Sequence, residues 1–188
     1  TSDTRGRDFL LKSISQNSVG CELGVWKGDF SERIIEWVAP SKLYLVDPWL
    51  YQPEFSGSWY GGSVANSQDA MDAIFKGVRE RFANEDFVEI IRKKTEGLVD
   101  EIPDSSLDWV YIDGNHAYEH VLQDLRTFER KVKIGGTIYG DDYGSGKKAP
   151  SPVARAVQDY LKESGNKLSW VKKRQFCIRK PKKTTSTS

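Results

Sequence analysis

Apolar positions along the chain recur in two rhythms. Short β-branched or apolar runs, Ser18 to Leu23, Leu43 to Val46, Phe87 to Ile91, Leu107 to Ile112 and Gly136 to Tyr139, predict strands. Between them the spacing changes to that of amphipathic helices, with one apolar face of Phe30, Ile34, Ile35 and Val38 and a second of Met71, Ile74, Phe75, Val78 and Phe82. Tyr118, Val121, Leu122, Leu125 and Phe128 predict a third helix. A fourth opens at Ser151-Pro152, an N-cap followed by proline at the first helical position. It runs through Val153, Ala156, Val157, Tyr160 and Leu161, and Gly165 is placed to stop it. Strands alternating with helices predict an α/β fold, a doubly wound and mostly parallel sheet.

Two further strand-like runs, Leu168 to Val171 and Gln175 to Arg179, are separated only by Lys172, Lys173 and Arg174. A parallel crossover needs a dozen residues or more, so this pair is expected to be antiparallel. The stretch from Lys180 to Ser188 is basic and then rich in serine and threonine, and reads as a flexible tail on a single domain that ends at about residue 180.

Composition narrows the classes. A chain of 188 residues, 38% hydrophobic, suits one domain with one sizeable core. The net charge of +1 supplies no global field toward nucleic acid or a membrane surface. No apolar run is long enough to span a bilayer. The N-terminus has neither a signal core nor an initiator methionine, which leads us to expect a cytoplasmic protein excised from a longer chain. Cys21 and Cys177 lack metal or redox spacing and read as buried thiols in a reducing compartment.

In open α/β sheets ligands bind beyond the carboxyl ends of the strands, so the residues that follow strands are the candidates for chemistry. After the first strand comes Glu22-Leu-Gly-Val-Trp-Lys-Gly28, in which Gly24 and Gly28 allow a tight turn and a close approach to a ligand. A dinucleotide site would require Gly-x-Gly-x-x-Gly, and here tryptophan and lysine stand between the glycines. Asp47, at the end of the second strand, is placed either to accept bonds from ribose hydroxyls or to close a turn. Asp113 ends the fourth strand, and Asp141 and Asp142 end the fifth. Three carboxylates at adjoining strand ends suit a hard ion, Mg²⁺ or Mn²⁺, or alternatively serve as caps and turn residues. His116 lies beside Asp113, where an imidazole of near-neutral pKa could take a proton from an acceptor or could simply order the loop; His120 reads as surface or supporting. Aromatics crowd the segment from Trp49 to Gly62. Trp49 is expected to pack down on the sheet, while Tyr51, Trp59 and Tyr60 are the candidates to contact an acceptor.

Four segments in order, Glu22 to Gly28, Val46-Asp47-Pro-Trp49, Tyr111 to His120 with Asp124-Leu125, and Gly135 to Tyr143, resemble the class I S-adenosylmethionine-dependent methyltransferases. More narrowly, they are similar to the group containing catechol O-methyltransferases and metal-dependent sugar O-methyltransferases. The resemblance runs from about Val19 to about Arg179. It implies a Rossmann-like sheet of seven strands with the last antiparallel. It also implies that Glu22, Gly24 and Gly28 surround the methionine moiety, that Asp47 holds the ribose, and that Thr95 and Glu96 lie near the adenine; Trp49 is expected among the cofactor contacts as well. Arg92-Lys93-Lys94 precedes Thr95 where the family often has a small glycine turn. In catechol-type relatives the positions corresponding to Asp113, Asp141 and Asp142 bind such an ion, Mg²⁺ or Mn²⁺; Asp113 is also expected among the cofactor and catalytic residues with His116, and Tyr143 among the acceptor contacts. Asn115 stands where related sugar enzymes often carry another acid.

The expected activity is methyl transfer from S-adenosylmethionine to a small-molecule hydroxyl, of a sugar or glycan, with a phenol or catechol as the alternative acceptor. Two rivals come from other classes. A metal-dependent phosphoester hydrolase could use the aspartates but has no need of the glycine loop. A nucleic-acid-binding module could use Lys172, Lys173, Arg174, Lys180, Lys182 and Lys183, charges that a solvated edge hairpin and tail explain more simply.

Overall fold

The computed structural model describes residues 7–98, 100–144 and 149–182. Its centre is a seven-stranded sheet of β1 (Val19–Leu23), β2 (Lys42–Val46), β3 (Val88–Ile91), β4 (Leu107–Ile112), β5 (Val132–Gly140), β6 (Lys167–Lys172) and β7 (Gln175–Arg179), in the order β3-β2-β1-β4-β5-β7-β6. The pairs among β1 to β5 are parallel, whereas β7 runs antiparallel to both β5 and β6. This is the Rossmann-like sheet anticipated, down to the reversed last strand. Strand order reverses at the β1–β4 junction, which is where such sheets bind ligands.

Helices cover both faces. Phe30, Ile34 and Val38 of α2 (Asp29–Val38) and Met71 and Val78 of α3 (Gln68–Arg81) enter one core cluster with Leu43, Leu45 and Tyr111. Val121, Leu125 and Phe128 of α4 (Tyr118–Lys131) and Val153, Ala156 and Tyr160 of α5 (Pro152–Ser164) enter the other with Val110 and Ile138. At the start of α5 the Ser151 hydroxyl accepts the Ala154 N–H at 3.1 Å, and Gly165 at φ +71° ends the helix as its sequence position predicts.

Three local differences from the sequence pattern have physical causes. Residues 8–11 form a short helix, α1 (Asp8–Leu11), whose Leu10 and Leu11 are buried; four residues are too few to show a period. Strand β5 begins at Val132 rather than Gly136 because Val132 pairs with Leu107, after which the register shifts before Trp109 meets Thr137. Gly135, at φ +80°, lies within that irregularity. Lys180, taken as the start of a free tail, instead donates its ammonium to the carbonyls of Glu129 (2.5 Å) and Val132 (2.7 Å). Lys183 and the residues after it lie outside the described residues. No helix among the described residues is long and apolar enough to cross a membrane.

Candidate active site

A cavity of about 480 Å³ opens at the carboxyl ends of β1, β2, β4 and β5. Glu22, next to last in β1, lines it from below and is almost wholly buried. The Ser31 hydroxyl donates to its Oε2 at 2.5 Å. Burial pushes the Glu22 carboxyl up to about 8, and Asp113 and Asp47 add to the rise against the opposing Ser31 bond and Arg7 charge. Gly24 follows at φ +92°, and a side chain there would begin 2.1 Å from the Asp113 carbonyl oxygen. Its missing Cβ is therefore required by the close passage of the β1 and β4 backbones, which the Asp113 N–H to Leu23 carbonyl bond of 2.7 Å also records. Gly28 lies outside the cavity wall. At φ +81° it precedes α2, and a Cβ would meet the Phe82 ring at 2.7 Å, so its role is the turn and the packing beneath it.

Asp47 connects the first two strand ends. Its carboxylate accepts the backbone N–H groups of Val25 and Trp26 at 3.0 Å each and that of Trp49 at 2.7 Å. Burial pushes this carboxyl up and the three N–H donors oppose the rise. A carboxylate offers about four acceptor sites, so one stays open toward the cavity that Asp47 lines. Trp49 itself turns away into the core: its ring packs on Phe75 at 4.9 Å and its indole N–H donates to the Trp26 carbonyl at 2.8 Å. The packing expectation for Trp49 holds, and its place among the cofactor contacts does not follow from the geometry.

The three strand-end carboxylates do converge, and side chains from elsewhere in the chain compensate them. Arg7 donates to Asp113 at 2.7 Å and pairs with Asp141 at 2.6 Å, its guanidinium lying over the rings of Phe30 and Tyr111. Burial opposes the charge on Arg7, yet Asp113, Tyr111 and Asp141 hold it well above its ordinary value. Asp141 also accepts the Gln175 amide at 2.5 Å, and burial, then Asp113, raise its carboxyl. Asp142 pairs with Arg174 and accepts His116 Nδ1 at 2.8 Å, which holds it below the usual carboxylate range. His116 Nε2 lies 3.4 Å from Asp113. Bonded toward Asp113 and Asp142, the imidazole rises to about 10, which corrects the near-neutral value expected for it: between two carboxylates it is an imidazolium.

A divalent ion is expected from the sequence at Asp113, Asp141 and Asp142, and the side chains whose ligand atoms lie closest together are Asp113, His116 and Asp142. These three bring ligand atoms within 4.8 Å of one another, and Asp113 and Asp142, like Asp141, already carry side-chain partners. The two carboxylates suit a divalent cation, and His116 could join them only as a neutral imidazole.

Of the aromatic candidates, Trp59 and Tyr60 line the cavity and Tyr51 and Tyr143 do not. Tyr51 packs against the core beside α3, and its backbone N–H donates to Gln68. Tyr143 packs on Phe176 at 6.1 Å. Trp26, at φ +55°, joins Trp59 with ring centroids 5.6 Å apart, and His120 also reaches the wall. Thr95 and Glu96 line the β3 side together with Asp124. Arg7 had no signal in the sequence, since a lone arginine 106 residues from its carboxylate partner belongs to no motif.

Comparison with known proteins agrees with this architecture. A candidate rRNA methylase from Clostridium thermocellum superposes with a TM-score of 0.62 at 14% identity, over 96% of this chain and 96% of that one. The O-methyltransferase NovP gives 0.60 at 17% identity over 94% and 80%. A candidate methyltransferase of Streptococcus mutans, SMU.1697c, solved with SAH, gives 0.58 at 15% identity over 93% and 94%. No curated protein matches the sequence. At these identities the structures establish a shared fold. The family model described as a methyltransferase domain matches residues 21–143, which span every strand end that lines the cavity. The chain belongs to that methyltransferase family and is an S-adenosylmethionine-dependent methyltransferase.

Proposed function

We propose that the enzyme methylates a hydroxyl oxygen of a small molecule, a sugar or glycan, with a phenol as the competing acceptor. The observation that carries this reading is the convergence of Asp113, His116 and Asp142 on one cavity wall. The sulfonium donor already has a good leaving group. A neutral hydroxyl is a poor nucleophile, so its deprotonation is the step left to the protein.

Asp113 and Asp142 would hold Mg²⁺ or Mn²⁺, hard ions that take oxygen donors, and such an ion would supply polarisation of the acceptor oxygen. His116 accepts the acceptor's proton only as a neutral imidazole. Its rise to about 10 comes from hydrogen bonds to Asp113 and Asp142, so it becomes a base once those carboxylates are engaged elsewhere. Arg7 keeps Asp141 and Asp113 in place at the strand ends. Glu22 and the open acceptor site of Asp47 face a cofactor that carries positive charge at its sulfonium and ammonium. Trp26, Trp59 and Tyr60 form an aromatic lip suited to the C–H face of a sugar ring. Cys21 and Cys177 are buried free thiols, in keeping with a cytoplasmic setting.

A transfer assay with methyl-labelled cofactor against sugars, nucleotide sugars and phenols, with and without Mg²⁺ or Mn²⁺, tests the reading. Label should enter a hydroxyl, EDTA should stop turnover while sparing cofactor binding, and His116→Ala should lower kcat by about 10²- to 10⁴-fold. Full turnover in excess EDTA removes the ion from the proposal, and label entering nitrogen rather than oxygen refutes O-methylation.

A further inference from the structure

One basic motif of the sequence has no part in the chemistry above, the run Lys172-Lys173-Arg174 with Lys180 and Lys182 after it. Folding separates its members. Lys180 turns onto the carbonyls of Glu129 and Val132, and Lys182 lies beside Gly135, so both belong to the end of β5 remote from the cavity. Lys172, Lys173 and Arg174 lie at the other end, because β7 runs antiparallel to β5 and carries the hairpin turn to its carboxyl edge. There Gly140 pairs with Phe176, and the Tyr143 N–H donates to the Arg174 carbonyl at 2.8 Å.

The turn holds these basic side chains in a defined place. Lys173, at φ +51°, and Arg174, at φ +65°, both occupy the left-handed region that a two-residue hairpin requires and that asparagine and glycine adopt with least strain. Arg174 reaches the carboxylate of Asp142 on the cavity wall. The ammonium groups of Lys172 and Lys173 lie 4.8 and 6.0 Å from the centre of the Phe9 ring, two residues from Arg7, which lines the same cavity. Like charges thus share one ring, and among the described residues neither lysine has a carboxylate partner. Arg7, His116 and Arg174 already face Asp113, Asp141 and Asp142, so the two lysine charges have no counterpart on this edge. An anion between them would offset their repulsion.

We propose that Lys172 and Lys173 bind a phosphate group of the acceptor, so that the enzyme methylates a phosphorylated sugar in preference to the neutral one. This rests on the acceptor being a small-molecule hydroxyl at the wall that Asp142 helps to form. A phosphate monoester carries about 1.5 to 2 negative charges at neutral pH, which two ammonium groups match. Arg174 links the hairpin to that wall, so an acceptor seated there has its remaining substituents beside the lysines. An RNA backbone would need a track of cations, and Lys180 and Lys182 lie at the wrong end of the sheet to extend one.

The first measurement is a ³¹P NMR titration of inorganic phosphate with the intact protein loaded with S-adenosylhomocysteine, at low ionic strength. Saturable binding should weaken by about tenfold in Lys172→Gln/Lys173→Gln, which keeps both stems and removes both charges. Lys162→Gln/Lys182→Gln removes as much charge from the remote end of the sheet, and should bind phosphate like wild type. The second measurement is methyl transfer to a panel of sugar phosphates and the corresponding neutral sugars. Wild type should favour the phosphates by about tenfold or more in kcat/KM, and the hairpin variant should lose that preference through KM while turning over neutral sugars unchanged. Phosphate binding that survives in the hairpin variant, or that falls equally in the remote one, overturns the proposal. Equal use of sugars and their phosphates also overturns it and leaves the sugar reading standing. Conversely, lysine-dependent phosphate binding with no methyl transfer to any sugar keeps the anion site and removes the sugar. A short RNA that binds more tightly than any sugar phosphate, and is weakened alike in both double variants, overturns the proposal in favour of a nucleic-acid surface.

Discussion

Glu22→Gln isolates the energetic consequence of placing an acid under the cofactor. In the folded protein the Glu22 carboxyl titrates near 8, against an ordinary value of 4.5, and burial is the main cause. Between those limits the folded state holds a proton that the unfolded chain has released, so stability falls as pH rises through the window and levels off above about 8. At about 1.4 kcal/mol per unit, rounded off near the folded value, the loss from about pH 6 to about pH 8 comes to roughly 2 kcal/mol. Glutamine keeps an oxygen to accept the Ser31 hydroxyl and carries no proton to lose. Urea denaturation of both proteins without cofactor, at the two pH values, measures the term directly, because the titration of every other group largely cancels in the difference. The variant should gain about 2 kcal/mol on wild type across the interval. A difference that stays constant to within about 0.5 kcal/mol would mean that Glu22 is already ionised at the lower pH, with Arg7 rather than burial controlling it, and the reasoning would fail.

Gly24→Ala should destabilise the fold by about 2 kcal/mol or more, since its Cβ would begin 2.1 Å from the Asp113 carbonyl at a positive φ; thermal melting at wild-type temperature would contradict this. Asp47→Ala strands three backbone N–H donors as well as removing a ribose acceptor, so S-adenosylhomocysteine affinity should drop by about tenfold or more, with a parallel loss of stability; unchanged affinity by calorimetry takes Asp47 out of the site. Arg7→Ala leaves the Asp113 and Asp141 carboxylates without their shared guanidinium, and should cost about 2 kcal/mol at neutral pH and less as acid protonates Asp141, whose carboxyl burial already raises. A deficit in urea denaturation that does not shrink on acidification would show that Arg7 acts through its stacking on Phe30 and Tyr111 instead.

Period and punctuation along the chain determined the elements and their order, because burial of one face leaves its mark on adjacent residues. The three-residue link between Val171 and Gln175 forced the antiparallel pair, and the residues after each strand identified the edge that carries the chemistry. Within a single loop the same reasoning could not separate aromatics. Trp49 and Trp59 share composition and neighbourhood, and only packing sends one onto Phe75 and leaves the other at the cavity lip. Gly24 was legible as a tight turn, but the atom that forbids a side chain there belongs to Asp113, on another strand.

Charge states were the part that tertiary structure alone decided. Asp113, Asp141 and Asp142 are read from strand ends, yet their compensation comes from Arg7 at one end of the chain and Arg174 and Gln175 near the other. A histidine between two carboxylates and a glutamate sealed under a cavity titrate according to everything within a few ångströms. Hydrophobic periodicity is a local property of the chain, whereas an electrostatic environment is a sum over neighbours that only folding brings together.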